Sequence, residues 1–408
     1  MNQIQKKKGV LVALAFIAFI SLGMPDGLHG VAWPGIRESF DLPIDAIGLL
    51  LIFGTAGYMV SSFFNSILLR RFGVGKLLAM SCAATGGTQL MYGLSPLWPL
   101  FIAVAFIGGL GAGAIDAGLN TYVARRYSES VMQRLHAFFG IGITIGPVIM
   151  TAGIQFFESW RPAYILVAAI QLALAVLFFL SRRQWTDESQ QTDEVAEDIP
   201  LLRETLRQPS AVLSMLMFFI YTGIELGLGL WSYSLLTESR GVDPAVAGFI
   251  TAGYWGFFTV GRMLAGFYTH KIRSGTVILL SIAAASAGIF LVALNRGAGL
   301  TVAGVAVSAF AIAPIFPAMV SDTINRVGPR HESNTIGMQI ACAGLGISLI
   351  PSLAGVLARR FSLEIIPLFI LIDTIILLLL FLLARHFRPS RQTIPPAKPD
   401  RQPRQAEN

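Results

Sequence analysis

The sequence predicts an all-α membrane protein in which twelve transmembrane helices form two similar six-helix halves. Three observations lead to this fold class. The chain is far more apolar than a water-soluble protein of its size, and its apolar residues fall into twelve runs of membrane-spanning length. In addition, short motifs of the first half recur in the second half.

The composition favours lipid over water as the surroundings of the chain. Of 408 residues, 54% are hydrophobic and 13% are charged, whereas soluble domains average about 25% charged residues. The formal net charge of +7 does not indicate nucleic-acid binding, because the basic residues form short clusters between apolar runs. The two cysteines, Cys82 and Cys342, both lie inside apolar runs. They predict neither a disulfide framework nor a metal site.

Each predicted span is a run long enough to cross a bilayer, which takes about 20 apolar residues. The first run follows Lys6–Lys8 and begins like a signal peptide. It is long, however, and lacks a clear small-residue cleavage site, so we expect a retained helix. The twelve predicted spans are 9–33, 44–69, 75–95, 97–123, 136–157, 162–181, 211–236, 244–268, 275–294, 298–321, 335–358 and 364–386.

The gaps between the spans alternate in charge. Clusters of Lys and Arg precede span 1 and follow spans 2, 4, 6, 8, 10 and 12, whereas the other gaps hold far fewer basic residues. The positive-inside rule therefore predicts that both termini are cytoplasmic. The expected location is the cytoplasmic (inner) membrane of a bacterium.

A polar loop divides the predicted spans into two groups of six. Residues 182–210 form the one strongly polar interior segment and are expected in the cytosol, together with residues 1–8. The two halves are then residues 9–181 and 211–388. The tail, residues 389–408, is rich in Pro, Gln and Arg and is predicted to be disordered.

The two halves share motifs at a nearly constant separation. Residues 140–147 read GIGITIGP and residues 344–351 read GLGISLIP, which are 204 residues apart and share Gly-x-Gly and a final Pro. Asp26 lies within one residue of the position that matches Glu225. Internal repeats are typical of secondary transporters, whose binding site lies between the repeats near the middle of the bilayer.

The twelve spans, the central loop and the two halves resemble the major facilitator superfamily over about residues 9–386. The signature of that superfamily after span 2 is Gly-x-x-x-Asp-Arg-x-Gly-Arg-Lys. This chain matches it at Arg71 and Gly73, which the resemblance makes candidate gating residues. Arg70 replaces the Asp, so the salt bridge usually assigned to the motif lacks its acidic partner here.

Several stretches resemble the fucose–glucose–proton symporter branch of that superfamily. They are GLGAGAIDAGLNTYVARRY in span 4, LHAFFGIGITIGP in span 5, PIFPAMVSD in span 10 and AGLGISLIP in span 11. This resemblance implies a symporter that couples protons to a small polar solute, often a sugar.

Three carboxylates inside the spans are the candidate coupling residues, because ionisable residues in membrane spans tend to mark ion or substrate paths. Asp26 lies in the outer half of span 1, Asp116 in the inner half of span 4, and Glu225 near the middle of span 7. Structural alternatives remain open. In these alternatives, Asp26 caps its helix or accompanies a packing kink, and Asp116 pairs with Arg125 or Arg126.

Other polar side chains in the spans have more than one interpretation. Arg262, near the inner end of span 8, is expected either to reach the interface or to pair with a buried acid in the gate. Asp322 is expected to cap a helix or form an ion pair, and His136 is expected at the interface. Sugar recognition needs amides, hydroxyls and flat apolar faces. The candidate solute-binding residues are Asn120, Gln155, Trp231, Tyr254, Trp255 and Gln339.

These features predict a secondary active transporter that moves a small polar solute by alternating access. The leading hypothesis is proton-coupled import, and the alternative is a proton-coupled exporter of drugs or metabolites. The sequence lacks His-Glu-x-x-His, Gly-x-Ser-x-Gly and Cys-x-x-Cys, which disfavours an intramembrane enzyme. A sensor of this fold would usually carry an added soluble domain. The expected partners are the solute, protons and the bilayer, with no cofactor and a monomeric chain.

Overall fold

The computed structural model describes residues 3–127, 129–185, 202–268 and 272–387, and all regular structure in these ranges is helical. The predicted tail and most of the predicted central loop lie outside the described residues. Twelve long helices are numbered in chain order. They are α1 Gln3–Ser39, α2 Ile47–Phe63, α3 Val74–Leu94, α4 Trp98–Arg126, α5 Glu129–Phe157, α6 Arg161–Ser181, α7 Pro209–Ser234, α8 Pro244–Tyr268, α9 Ser274–Ala293, α10 Ala298–Ile312, α11 Pro329–Arg360 and α12 Ile365–His386.

Each long helix matches one predicted span, which confirms the predicted fold class. Ten spans are long and apolar enough to cross a membrane by these two criteria alone. The other two, α3 and α8, have 21 and 25 residues, and at about 1.5 Å per residue both also cover a hydrocarbon core of roughly 30 Å. α3 is rich in small polar side chains, and α8 carries Arg262.

Two helices change geometry near their ends. α10 stops at Ile312, and after a turn the chain resumes as the short helix Ile315–Ser321. α7 continues beyond Ser234 as a π-helix, Leu235–Ser239. Since twelve helices cross the bundle, α1 begins and α12 ends at the same end, which we call the terminal end. The opposite end, where α1 and α7 finish, is the far end.

The helices pair in the same way in both halves. α1 packs on α5, α2 on α4 and α3 on α6, and the second half repeats this with α7 on α11, α8 on α10 and α9 on α12. Two further pairs join the halves, α5 with α8 and α2 with α11, and α1 also contacts α7. The halves therefore meet along two equivalent seams.

Glycines bring the tightest pairs into backbone contact. A methyl group on Gly142 of α5 would overlap the carbonyl oxygen of Ile20 in α1. A methyl group on Gly346 of α11 would likewise overlap the carbonyl oxygen of Phe219 in α7. These matching contacts confirm that the two Gly-x-Gly segments occupy equivalent places.

A buried guanidinium holds four helices of the second half together at the far end. Arg240 donates to the two carboxylate oxygens of Glu364 at 2.9 and 2.7 Å. It also donates to Thr301 and to the carbonyl of Val292. Burial by itself raises the pKa of Glu364, but hydrogen bonds from Arg240 and Ser239 and the Arg240 charge outweigh it, so the pKa is lowered. Glu364 therefore stays charged at neutral pH and keeps the network intact.

We expect Gly142→Ala to destabilise the protein, because the added methyl group meets a backbone carbonyl that cannot turn away. Overpacking of this kind typically costs about 1–3 kcal/mol. The matched control is Gly87→Ala in α3, where a methyl group would meet nothing within 4 Å. Thermal unfolding of both variants in the same detergent measures the difference. Equal melting temperatures for the two variants would contradict the tight α1–α5 contact.

Candidate functional site

The middle of α1 lies between the two halves. Methyl groups on Gly23 and Gly27 would overlap the backbone of α5, and one on Gly30 would lie 2.8 Å from the carbonyl oxygen of Leu230 in α7. Within about two helical turns, α1 thus touches both its own half and the other half.

Asp26 is accessible in the middle of this buried stretch. Leu22, Gly23 and Gly30, one turn away on the same face, are buried, and His29 is half-buried. A side chain facing lipid would have exposed neighbours at these positions, so Asp26 faces an internal cavity. Within the described part of the chain, Asp26 has no hydrogen bond or ion pair.

Pro25 removes a backbone donor next to Asp26, and a neighbouring helix compensates. A proline lacks the N–H that would bond the carbonyl four residues earlier, which here belongs to Ser21. The amide of Gln171 in α6 donates to that carbonyl at 2.9 Å. The backbone at the proline is thereby satisfied, and α1 continues without interruption past Asp26.

Glu225 of α7 is the second carboxylate near the middle of the bundle. Nη2 of Arg262 in α8 lies 3.6 Å from Oε2 of Glu225, and the guanidinium also lies 4.4 Å from the ring centre of Phe258. Of the two predicted roles of Arg262, the structure shows the ion pair with an acid. The charge of Glu225 is therefore partly compensated.

Asp26 and Glu225 occupy equivalent positions in the two halves. Ile20 and Phe219 make the matching contacts to α5 and α11, and they are 199 residues apart. The same separation relates Asp26 to Glu225. The sequence motifs align Asp26 with Glu225 only to within one residue, whereas the helix contacts of the structure align the two residues with each other.

The ion pair of the second half has no equivalent in the first half. Gly48 of α2 packs on α11, and Gly248 of α8 packs on α5. α2 and α8 are therefore equivalent helices of the two halves, and their matching residues are 200 positions apart. This separation puts Ser62 where α8 carries Arg262. The difference explains why Asp26 lacks a cationic partner.

Asp116 of α4 accepts hydrogen bonds from two neutral side chains. The hydroxyl of Tyr58 in α2 donates to one carboxylate oxygen, and the amide of Asn120 donates to the other at 2.9 Å. Of the two predicted ion-pair partners, Arg126 lies over an aromatic ring of its own helix, and the side chain of Arg125 lies outside the described part of the chain. Asp116 is therefore held by dipoles across the α2–α4 pair.

Three predicted solute-binding residues are engaged in helix packing. The ring nitrogen of Trp231 donates to the carbonyl of Pro351 at 3.0 Å, and the hydroxyl of Tyr254 donates to a backbone carbonyl of α7 at 2.7 Å. Gln339 is buried and donates to Thr323 at 3.0 Å. Because these polar groups already have partners in this conformation, their contact with a solute stays a prediction.

The other three members of that set differ in exposure. Trp255 is buried against Gly229 of α7. Gln155 is exposed near the far end of α5, and Asn120 is half-buried beside Asp116. Asn120 is thus the member of the set that lies directly at a candidate coupling carboxylate.

The predicted gating residues of the family signature lie at the terminal end. Gly73 has φ +72°, a left-handed conformation that favours glycine, and it separates the short helix Asn65–Phe72 from α3. Arg71 is exposed there, and its gating role stays a prediction. In the second half, Asp322 forms the predicted ion pair, with Arg326 at 2.9 Å.

Two ion pairs join the halves at the far end, and we call them the far-end gate. Arg37, near the end of α1, pairs with Glu238. Arg359, near the end of α11, lies 3.3 Å from Asp45. Sequence reasoning missed both pairs, because their members are 201 and 314 residues apart. Asp26, which is accessible, lies on the terminal side of both pairs.

A bundle of two equivalent six-helix halves around a carboxylate-lined cavity defines the class of secondary membrane transporters. The family model of the Major Facilitator Superfamily matches residues 14–235 and 228–407. The chain belongs to this superfamily. It is a membrane transporter of small solutes and not an enzyme.

Curated relatives match over most of their length. The chain is 23% identical over 401 residues to Bypass of stop codon protein 6 of Saccharomyces cerevisiae, covering 88% of this chain and 78% of that protein. It is 22% identical over 380 residues to the Sodium-dependent glucose transporter 1 of Homo sapiens, covering 84% and 73%. It is 20% identical over 344 residues to the Glucose/mannose transporter GlcP of Bacillus subtilis, covering 83% and 85%.

Solved structures share the fold at low sequence identity. The nucleoside transporter NupG has a TM-score of 0.74 at 14% identity, covering 94% of this chain and 99% of that chain. FucP, in an outward conformation, has a TM-score of 0.63 at 16% identity, covering 93% and 99%. The resemblance inferred from the sequence motifs is confirmed at the level of superfamily and fold.

We expect Arg37→Glu to loosen the far end, because it replaces an attraction across the halves by a repulsion. Exposed ion pairs contribute about 0.2–1 kcal/mol, so we expect a population with the far end open that is larger by a factor of roughly 1.4 to 5. Pulsed EPR distances between labels at Leu94→Cys and Asn295→Cys measure this population. Adding Glu238→Arg restores the attraction and the original distribution. Arg360→Glu, beside the gate, is the control, and an Arg37→Glu distribution equal to that of the control would refute the gate.

Proposed function

We propose that the protein imports a small polar solute together with protons, with a monosaccharide as the solute class. The observation that carries this proposal is Asp26, an accessible carboxylate without a cationic partner at the point where α1 meets both halves. A single titratable group at that place can bind a proton in one conformation and release it in the other.

The names of the relatives support a sugar as the first solute to test. One relative is named a glucose/mannose transporter and another a sodium-dependent glucose transporter. A third, from Escherichia coli, is named a 3-(3-hydroxy-phenyl)propionate transporter, whose solute is an organic acid. In this chain the carboxylates of Asp26, Asp116 and Glu225 favour a neutral solute over an anion, because Arg262 is already paired with Glu225.

The local backbone favours protons over sodium as the coupling ion. Sodium sites in transporters use backbone carbonyls of unwound helices, whereas α1 is continuous around Asp26. The carbonyl released by Pro25 already accepts a hydrogen bond from Gln171. Without an unwound backbone beside it, the carboxylate of Asp26 is better suited to bind a proton than to complete a sodium coordination shell.

The proposed cycle alternates between two closed ends. With the far-end gate open, solute and proton enter, and Asp26 becomes neutral. Closing the gate removes water from the cavity, which favours the neutral form of a carboxyl group. The halves then rock about the α5–α8 and α2–α11 seams into the arrangement seen here, and the cavity releases its contents at the terminal end.

We expect Asp26→Asn to abolish uphill accumulation while sparing exchange. Asn cannot carry a proton, so a pH gradient no longer drives solute, whereas counterflow needs no net proton movement. The assay measures labelled D-glucose and D-mannose in proteoliposomes under a pH gradient and, separately, in counterflow. Asp41→Asn, the same chemical change at an exposed far-end position, is expected to behave like the wild type.

Several results of this assay would overturn the proposal. Wild-type accumulation by Asp26→Asn, Asp116→Asn and Glu225→Gln alike would make the three carboxylates structural. A sodium gradient that drives uptake where a pH gradient does not would exclude proton coupling. Solute that leaves vesicles against its gradient as protons enter would identify an exporter.

We also propose that the terminal end faces the cytoplasm of a bacterial cell, since the basic clusters adjoin that end. The test uses Ser189→Cys in a Cys82→Ala, Cys342→Ser background. Position 189 belongs to the central loop and lies outside the described residues. We expect a membrane-impermeant maleimide to label it after cell lysis and not in intact cells. Equal labelling in intact cells would reverse the orientation.

A further inference from the structure

His136 of α5 is a further titratable side chain of the bundle, and the proposed cycle does not use it. The sequence predicts an interfacial position for it. In the structure, the side chain is exposed and its ring lies edge-on to Phe19 of α1, with ring centres 5.6 Å apart. Phe19 is itself fully buried, so His136 stands at the lining of the bundle rather than on its lipid surface.

Helix packing places His136 across the seam from Arg262. Gly140 of α5 packs on Thr259 of α8, where these two antiparallel helices meet. His136 is one turn before Gly140, and Arg262 is one turn after Thr259, so both lie at the same level on the terminal side of this contact. His136 belongs to the first half and Arg262 to the second.

The charged groups around His136 come from both halves. The charges of Asp116 in α4 and Arg262 in α8 both act on its imidazole. α1 presents the ring of Phe19, and α5 itself carries Arg134, which is exposed two residues earlier. Together, Asp116, His136, Arg262 and Glu225 form a row of ionisable groups that runs from one half to the other.

We propose that His136 is a positioning residue whose charge decides whether the terminal end opens or closes. This inference rests on the proposed proton coupling and extends it. A protonated imidazole is attracted to Asp116 in its own half and repelled by Arg262 across the seam. Since that repulsion acts between the halves, protonation favours the arrangement with an open terminal end. Loss of the proton removes the repulsion and allows the terminal end to close.

The test measures the conformation directly and needs no solute. Spin labels at Lys76→Cys and Arg273→Cys, both exposed at the terminal end, report the distance between the halves by pulsed EPR in lipid nanodiscs. As the pH falls from about 7.5 to about 4.5, a range that includes the ordinary titration of histidine and extends below it, we expect the wild-type ratio of long to short distances to rise about tenfold. His136→Gln is expected to give one ratio at all pH values, and His386→Gln, the matched control at the end of α12, to follow the wild type.

Arg262→Gln tests the role of His136 independently, because it removes the charge that a protonated His136 would repel. We expect this variant to lose the pH response although His136 is present. A wild-type pH response in His136→Gln or in Arg262→Gln would overturn the role of His136 and leave the proposed function intact. A wild-type protein that does not respond to pH would contradict proton coupling as well.

Discussion

The close approach of α1 to both halves is the constraint on which the rest of the structure depends. Glycine at 23 and 27 lets α1 touch the backbone of α5, and glycine at 30 lets it touch α7. A helix so tightly held leaves space only where a side chain points away from both neighbours, and Asp26 is in that position. The proline beside it requires a substitute hydrogen bond, which Gln171 provides from α6. Packing therefore both creates the cavity and fixes the acid within it.

The two halves share one design but differ in the charges that they carry at equivalent positions. The same position carries Asp26 in α1 and Glu225 in α7, but Arg262 accompanies only the second. One half thus holds a compensated charge and the other an uncompensated one. A perfectly symmetric bundle would carry the same charges on both sides of its seam, whereas here the carboxylate without a cationic partner lies on one side.

The sequence predicted the architecture well and the site only in part. The twelve helices follow from apolar length, and the equivalence of the halves follows from the Gly-x-Gly segments, because both signals are local. The three candidate carboxylates were selected because charged residues are rare in membrane spans, and their role in coupling stays a prediction. Pairings such as Arg37 with Glu238 join residues 201 apart, and no local pattern records them. Tyr254 and Trp231 were chosen by residue type, which does not show that their polar atoms are bonded to neighbouring helices.

The far-end gate has a consequence for the surroundings of the protein. Its members are partly exposed, with Arg359 at 60% and Asp45 at 18% side-chain accessibility, so dissolved salt reaches them. The screening length falls from about 30 Å at 0.01 M to about 8 Å at physiological ionic strength. Dilute and saline media therefore screen these two ion pairs, and with them the contact between the halves at the far end, to different degrees. Comparisons of the protein's transport rates therefore require the same ionic strength on the far side of the membrane.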